Sequence, residues 1–208
     1  MKKTMIAVPC MDQVPAIFAQ SLTLLQKPEN TCLSMQMGSL IYAARNSLAA
    51  EAIKQEADYV FWMDSDMLFP TNALVKMIDT LEKNELDILT GVYFRRRPPY
   101  TPTLFEILDM YGEACSHRTV REIPEGLFEV AGCGFGCVLL TTDVLMSVQA
   151  KFGNMFAPIG NNGEDVAFCW RARQCGYKIM CDPSVVCGHV GYSVVDDKFF
   201  KAFNNAKE

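Results

Sequence analysis

Over the first 94 residues, short apolar runs alternate with longer stretches of helical periodicity, and few folds satisfy both patterns at once. Met5–Val8 reads as a buried strand ended by Pro9, and "QVPAIFAQSLTLLQ" after it has the apolar spacing of a helix. "TCLSMQM" is a second strand. "SLIYAARNSLAAEAIKQE", rich in alanine and leucine, is a helix with Ser39 as its N-cap. "ADYVFWMD" is a third strand, Pro70 and Thr71 start the helix "TNALVKMIDTLEKN", and "LDILTGVYF" is a fourth strand. Strand–helix alternation of this kind predicts an α/β domain: a mainly parallel central sheet flanked by helices, Rossmann-like. Ligands of such sheets sit beyond the carboxyl ends of the strands. Asp64 and Asp66 fall at one of these ends, directly after the apolar run Val60–Met63.

After residue 94 the pattern changes. "RRRPPYTPTLFEI" is basic, proline-rich and extended, and residues 112–126 read as a loop or hairpin. "LFEVAGCGFGCVLLTTDVL" reads as a strand, a glycine turn, a strand and a helix start. "GEDVAFCWRARQCG" is a helix ending at Gly176, and "YKIMCDPSVVCGHVG" is a strand, a turn at Asp182–Pro183 and a second strand. A small antiparallel part is therefore expected toward the C-terminus. The boundaries divide one domain into residues 1–94, residues 95–191 and a polar tail, 192–208.

With 50% hydrophobic and 21% charged residues the chain can bury a full core, and the composition argues against disorder. A net charge of −5 argues against a general electrostatic grip on nucleic acid. The N-terminal "MKKTMIAVPC" is basic and then apolar, but Pro9 interrupts a run too short for a signal peptide. No stretch approaches the roughly 20 apolar residues of a membrane span. Nine cysteines without an export signal favour a reduced compartment, and a cytoplasmic protein is expected. Cys169, Cys175, Cys181 and Cys187 recur at regular intervals but lack the close pairs of zinc sites, so they read as buried, inert thiols.

Five groups of residues could carry chemistry. Asp64 and Asp66 lie just past a strand, where a turn lets both approach one hard cation such as Mg²⁺ or Mn²⁺; otherwise Asp64 caps the turn and Asp66 is solvated. Glu164 and Asp165 open a helix, where they either complement its dipole or supply a general base. His189, between glycines at a strand end, is either structural or a ligand, while His117 sits in a polar stretch without such context. Arg45 and Asn46, inside a helix, face solvent or a phosphate. Arg95–Arg97 is a solvated basic turn or a clamp for a diphosphate or an anionic acceptor.

In order along the chain, "IAVPC", "ARNSLAAEAIKQEADYVFWMDSDMLFP", "VAGCGFGCVLL", "GEDVAFCWRARQCGYKI" and "DPSVVCGHVG" resemble the GT-A fold glycosyltransferases, especially the small bacterial-type inverting group. The resemblance implies transfer of a sugar from a nucleoside-diphosphate sugar to a hydroxyl acceptor on a glycan, lipid or protein. It implies a nucleotide-binding half at 1–94 and an acceptor and catalytic half at 95–191. Asp66 would bind Mn²⁺ or Mg²⁺, Asp64 would contact the ribose or the metal's waters, and His189 would complete the metal or diphosphate site. Asp165 would be the base, with Glu164 as its rival. Pro9, Arg45 and Asn46 would lie near the nucleotide, and Gly134 and Gly136 would let the backbone approach the donor sugar or acceptor. The second strand lacks the acidic residue with which many relatives read a uracil or guanine edge, and little chain remains for an acceptor subdomain.

Three other readings compete. A haloacid-dehalogenase-type phosphatase also has an aspartate pair after an apolar strand, but near its N-terminus and with Thr or Val where this chain has Leu68. A nucleotidyltransferase would carry a glycine-rich loop with a lysine after the first strand, which is missing here. A catalytically inactive sugar-nucleotide binder would not need Asp64, Asp66, Asp165 and His189 all intact.

Overall fold

The computed structural model describes residues 2–38, 40–112 and 114–191. The expected N-cap Ser39 and the 192–208 tail lie outside the described residues. Strands β1 (Thr4–Cys10), β2 (Thr31–Met37) and β3 (Tyr59–Met63) alternate with helices α1 (Ala16–Leu24) and α2 (Ile41–Lys54). The short β4 (Met67–Leu68), α3 (Ala73–Lys83) and β5 (Ile88–Val92) complete the first half. The second half adds β6 (Leu104–Tyr111), β7 (Ala114–Thr119), β8 (Phe128–Val130), β9 (Gly132–Cys133), β10 (Cys137–Thr141), α4 (Thr142–Phe152), α5 (Glu164–Gln174), β11 (Ile179–Val186) and β12 (Gly188–His189).

The central sheet has seven strands in the order β2-β1-β3-β10-β5-β11-β8. β2, β1, β3, β5 and β11 share one direction, while β10 and β8 run against them. The sheet is thus mainly parallel, as expected, but alternation alone did not predict an antiparallel β10 between β3 and β5. The chain enters β10 from the carboxyl end of β3, where Asp64 N donates to Gly136 O at 3.4 Å, so it can only run back across the sheet. The expected loop or hairpin after β6 is a hairpin: β6 pairs with β7 and β9 in a separate antiparallel sheet, and β12 pairs with β4 in another.

Both faces of the central sheet are covered, which explains strands that are apolar throughout rather than alternating. Met5, Ala7, Val60 and Trp62 pack on one face with Leu48, Ala49 and Ala52 of α2 and Val144, Leu145 and Val148 of α4. Ile6, Val8, Phe61 and Met63 point to the other face, against Phe18 of α1 and Leu74, Met77 and Leu81 of α3. The period-two side-chain alternation of a strand produces this division.

Two expectations change in detail. β1 continues through Pro9 to Cys10, because β3 pairs with β1 only over Thr4–Ala7 and the missing proline N–H disturbs no ladder on that side. Asp182–Pro183 does not end a strand; β11 runs on through it as an irregularity, with Asp182 Oδ1 accepting from Ser184 N at 2.9 Å. All nine cysteines are free thiols.

Candidate active site

Because β1, β3, β5 and β11 are parallel, their carboxyl ends open at the same side of the sheet. A cleft of about 320 Å³ lies there. Pro9, Arg45, Asp64, Asp66, Glu164, Asp165 and His189 all border it. Residues from five separate chain segments thus converge at one mouth.

The anchor is Arg45. It belongs to the buried stripe of α2 with Ala44, Leu48, Ala49 and Ala52, and is 2% exposed. A buried guanidinium persists only when paired. Nη2 donates to Asp64 Oδ1 at 2.7 Å and Nε donates to Glu164 Oε1 at 3.1 Å. Its planar head also faces Trp62 and Phe135, 5.7 and 5.4 Å from the ring centroids. Burial alone would lower the pKa of Arg45, but Asp64 and Glu164 outweigh that and raise it. One cation therefore ties the end of β3 to the start of α5.

Asp66 has a different partner. Its Oδ2 accepts from Arg96 Nη1 at 2.7 Å and lies 3.5 Å from His189 Nε2. Backbone bonds hold the two elements together, since Val190 N donates to Asp66 O at 2.8 Å and β12 pairs with β4. His189 Nδ1 is 2.7 Å from Phe94 O, a pure acceptor, so Nδ1 carries the hydrogen and Nε2 faces Asp66. Partial burial pushes Asp66 up, but the His189 contact and the His189 and Arg96 charges pull it below the usual carboxylate range. Burial lowers His189, and the bond to Asp66 more than reverses this.

Asp165 is half-buried at the N-terminus of α5. Burial, then the adjacent Glu164 charge, raises its pKa to about 6, against the opposing pull of the Val166 N–H and of Arg45. Its Oδ1 accepts from Val166 N at 2.7 Å. Glu164, beside it, is the acid that Arg45 engages. The two arginines of α5 itself hold backbone: Arg171 Nη1 donates to Met155 O at 3.1 Å, and Arg173 Nη1 to Leu108 O at 2.7 Å.

Three expected site residues are engaged elsewhere. Asn46 donates to Tyr42 O at 2.8 Å and accepts from Phe156 N at 3.1 Å, so both ends of its amide hold backbone rather than border the cleft. Gly134 and Gly136 lie against Tyr93: a Cβ on Gly134 would stand 2.0 Å from the Tyr93 hydroxyl, and one on Gly136 2.9 Å from its ring. The backbone approach these glycines permit is to this buried phenol, which accepts from Gly136 N at 3.2 Å. Sequence reasoning passed over Tyr93, whose one signal was its place just beyond an apolar strand. His117 is remote, with its ring 5.6 Å from that of Phe105.

The sequence matches a known family, and the fold matches solved structures. The profile described as glycosyl transferase family 2 matches residues 19–149. This chain belongs to glycosyl transferase family 2. As a glycosyltransferase it has the GT-A fold, and two solved structures share that architecture. The crystal structure of A197 from STIV superposes with a TM-score of 0.68 at 16% identity, covering 91% of this chain and 86% of that one. The crystal structure of GalNAc-T7 with UDP, GalNAc and Mn²⁺ gives 0.65 at 8% identity, over 92% of this chain and 44% of that one. No curated protein sequence matches this glycosyltransferase. Among its described residues, no helix is long and apolar enough to cross a membrane.

Among the described residues, no three His, Cys, Asp or Glu side chains form a ready-made metal cage in this transferase. The donor set nonetheless suits a hard dication that keeps most of its coordination for water and phosphate. Asp66 Oδ2 and His189 Nε2, 3.5 Å apart, are near the separation of two adjacent ligands on one ion, and the His189 tautomer directs Nε2 toward Asp66. Asp64 has one oxygen already engaged by Arg45.

Proposed function

We propose that this enzyme transfers a sugar from a nucleoside-diphosphate sugar to a hydroxyl acceptor, with a divalent ion and with inversion at the anomeric carbon. The observation that carries this reading is the meeting of Asp66, His189 and Asp165 in one cleft at the carboxyl ends of the parallel strands. Residues 1–94 serve the nucleotide and residues 95–191 serve the acceptor and the base.

Asp66 and His189 would hold Mn²⁺ or Mg²⁺, which would supply charge neutralisation for the departing diphosphate. Arg96 must then give up Asp66. Asp64 would contact the donor's ribose or the metal's waters with its remaining oxygen, while Arg45 fixes its position. Asp165 is the base. The acceptor oxygen attacks the anomeric carbon, the bond from that carbon to the diphosphate oxygen breaks with its electron pair, and the acceptor proton passes to Asp165. A pKa of about 6 leaves Asp165 ionised at neutral pH yet basic enough to take that proton. Glu164 is the weaker candidate because Arg45 already engages its carboxylate.

Calorimetric titration of uridine, guanosine and adenosine diphosphates with and without Mn²⁺ tests this reading. Metal-dependent binding is expected for one base, and Asp66→Ala is expected to abolish the metal dependence. An Asp66→Ala protein that binds equally well, with the same response to Mn²⁺, would sink the ligand assignment.

A further inference from the structure

Beyond Val92 the chain leaves the sheet as a loop that folds back on itself. Phe94 bridges Pro102, Arg95 N donates to Thr101 O at 3.0 Å, and Thr103 N donates to Tyr93 O at 3.0 Å. This loop walls a second cleft of about 540 Å³. Arg96 and His189 border both clefts and form the partition between them.

The second cleft differs in charge from the first. The first is lined by Asp64, Asp66, Glu164 and Asp165 around Arg45 and Arg96. The second is lined by Arg95, Arg96 and Arg97, with no acid among its described lining residues. Arg96 is paired with Asp66, but Arg95 and Arg97 make no ion pair among the described residues. On a chain of net charge −5 this is a local reversal of sign at the mouth of an active site.

We infer that this second cleft is an anion subsite for the acceptor and that it receives a phosphate group. One bidentate arginine fills the two oxygens of a carboxylate, whereas the peripheral oxygens of a phosphate serve two guanidinium groups together. With the phosphate on Arg95 and Arg97, the acceptor's hydroxyl is directed across the Arg96–His189 partition toward Asp165. The inference rests on the reading of the first cleft as the donor site.

The full chain, free of metal and nucleotide, is titrated with glycerol 1-phosphate and, as a neutral control, glycerol. Saturable binding of the phosphate alone is expected, weakened about tenfold by each of Arg95→Gln and Arg97→Gln. Both side chains are exposed and form no ion pair among the described residues, and unchanged melting midpoints verify that the variants fold. The affinity for whichever nucleoside diphosphate binds with Mn²⁺ is expected to stay the same in both variants. Phe94 and Tyr100 are exposed on the same loop, so vesicles of phosphatidylcholine with and without phosphatidic acid form a second arm. Arginine-dependent capture by the acidic vesicles assigns the phosphate to a lipid acceptor; its absence, with glycerol phosphate still bound, assigns a water-soluble one.

Phosphate binding that is absent, or that ignores both substitutions, overturns the inference. An equal loss of nucleotide binding in the same variants also overturns it, because the arginines would then serve the donor diphosphate. Asp66→Ala separates the two readings. It removes metal-dependent nucleotide binding if the donor site is correctly assigned, and it leaves glycerol phosphate binding in place or stronger, because Arg96, released from Asp66, lines the second cleft.

Discussion

The two aspartates of the 64–66 turn each meet an arginine at 2.7 Å, yet the two pairs are physically unlike. The Arg45 side chain is 3% exposed, lies over two aromatic rings and is shared with Glu164. The Arg96 side chain is 46% exposed and comes from a surface loop. Removing one partner of a buried pair strands a charge, whereas an exposed pair contributes at most about 1 kcal/mol. Equal distance therefore does not mean equal function. Arg45 is a permanent strut between the end of β3 and the start of α5, and Arg96 is a replaceable counter-ion for Asp66.

The largest expected effect lies at the acid that neither arginine pairs with. Asp165→Asn should lower turnover by about 10²–10⁴-fold while leaving nucleotide affinity nearly unchanged. Steady-state rates and calorimetry on one preparation check this. The same substitution should stabilise the fold. With a folded pKa near 6 against 3.8, the native state binds this proton more tightly than the unfolded chain does. Between those values stability falls as pH rises, and above about 6 the full penalty, at most about 3 kcal/mol, is present. A variant that is both inactive and less stable would point to a structural rather than a catalytic carboxylate.

Arg45→Met tests the strut. It leaves Asp64 and Glu164 without their cation in a site of low exposure, and a loss of about 3 kcal/mol or more in urea unfolding is expected. A loss below about 1 kcal/mol would erase the distinction between the two pairs. The pH profile gives a smaller, independent measure. Protonated Asp165 cannot accept a proton, so kcat/KM should fall about tenfold per pH unit below about 6 and level off above it. Arg45 is one of the influences that lower the Asp165 pKa, so in Arg45→Met the acidic limb should move to higher pH.

The same contrast marks what could be read from sequence. The parallel half was legible because strands covered on both faces are apolar throughout, and the helices between them carry strong periodicity. The turn after "VFWMD" was legible because two acids ending a buried strand are costly unless used. Arg45 was noticed, but its partner Glu164 is 119 residues away, and no local pattern encodes so distant a pair. Asn46 looked equivalent to Arg45 only because it is adjacent in sequence; one helical step turns its amide toward Tyr42 and Phe156 instead. Gly134 and Gly136 announced a close approach without naming what approaches, and the phenol of Tyr93 comes from just beyond β5.

The smallest expected effect on the fold is at Arg96, and it is the most discriminating. Arg96→Gln should change the unfolding free energy by less than about 1 kcal/mol, since the pair it breaks is open to solvent. Its effect on a cation should have the opposite sign from that of Arg45→Met. Asp66 then carries no guanidinium to be displaced, so Mn²⁺ measured by calorimetry should bind several-fold more tightly than to the parent. Loss of Arg45 instead loosens the turn that carries Asp66 and should weaken Mn²⁺. If both variants weakened the ion alike, Arg96 would be holding Asp66 in position rather than standing in for the cation, and the two pairs would be variations on one strut.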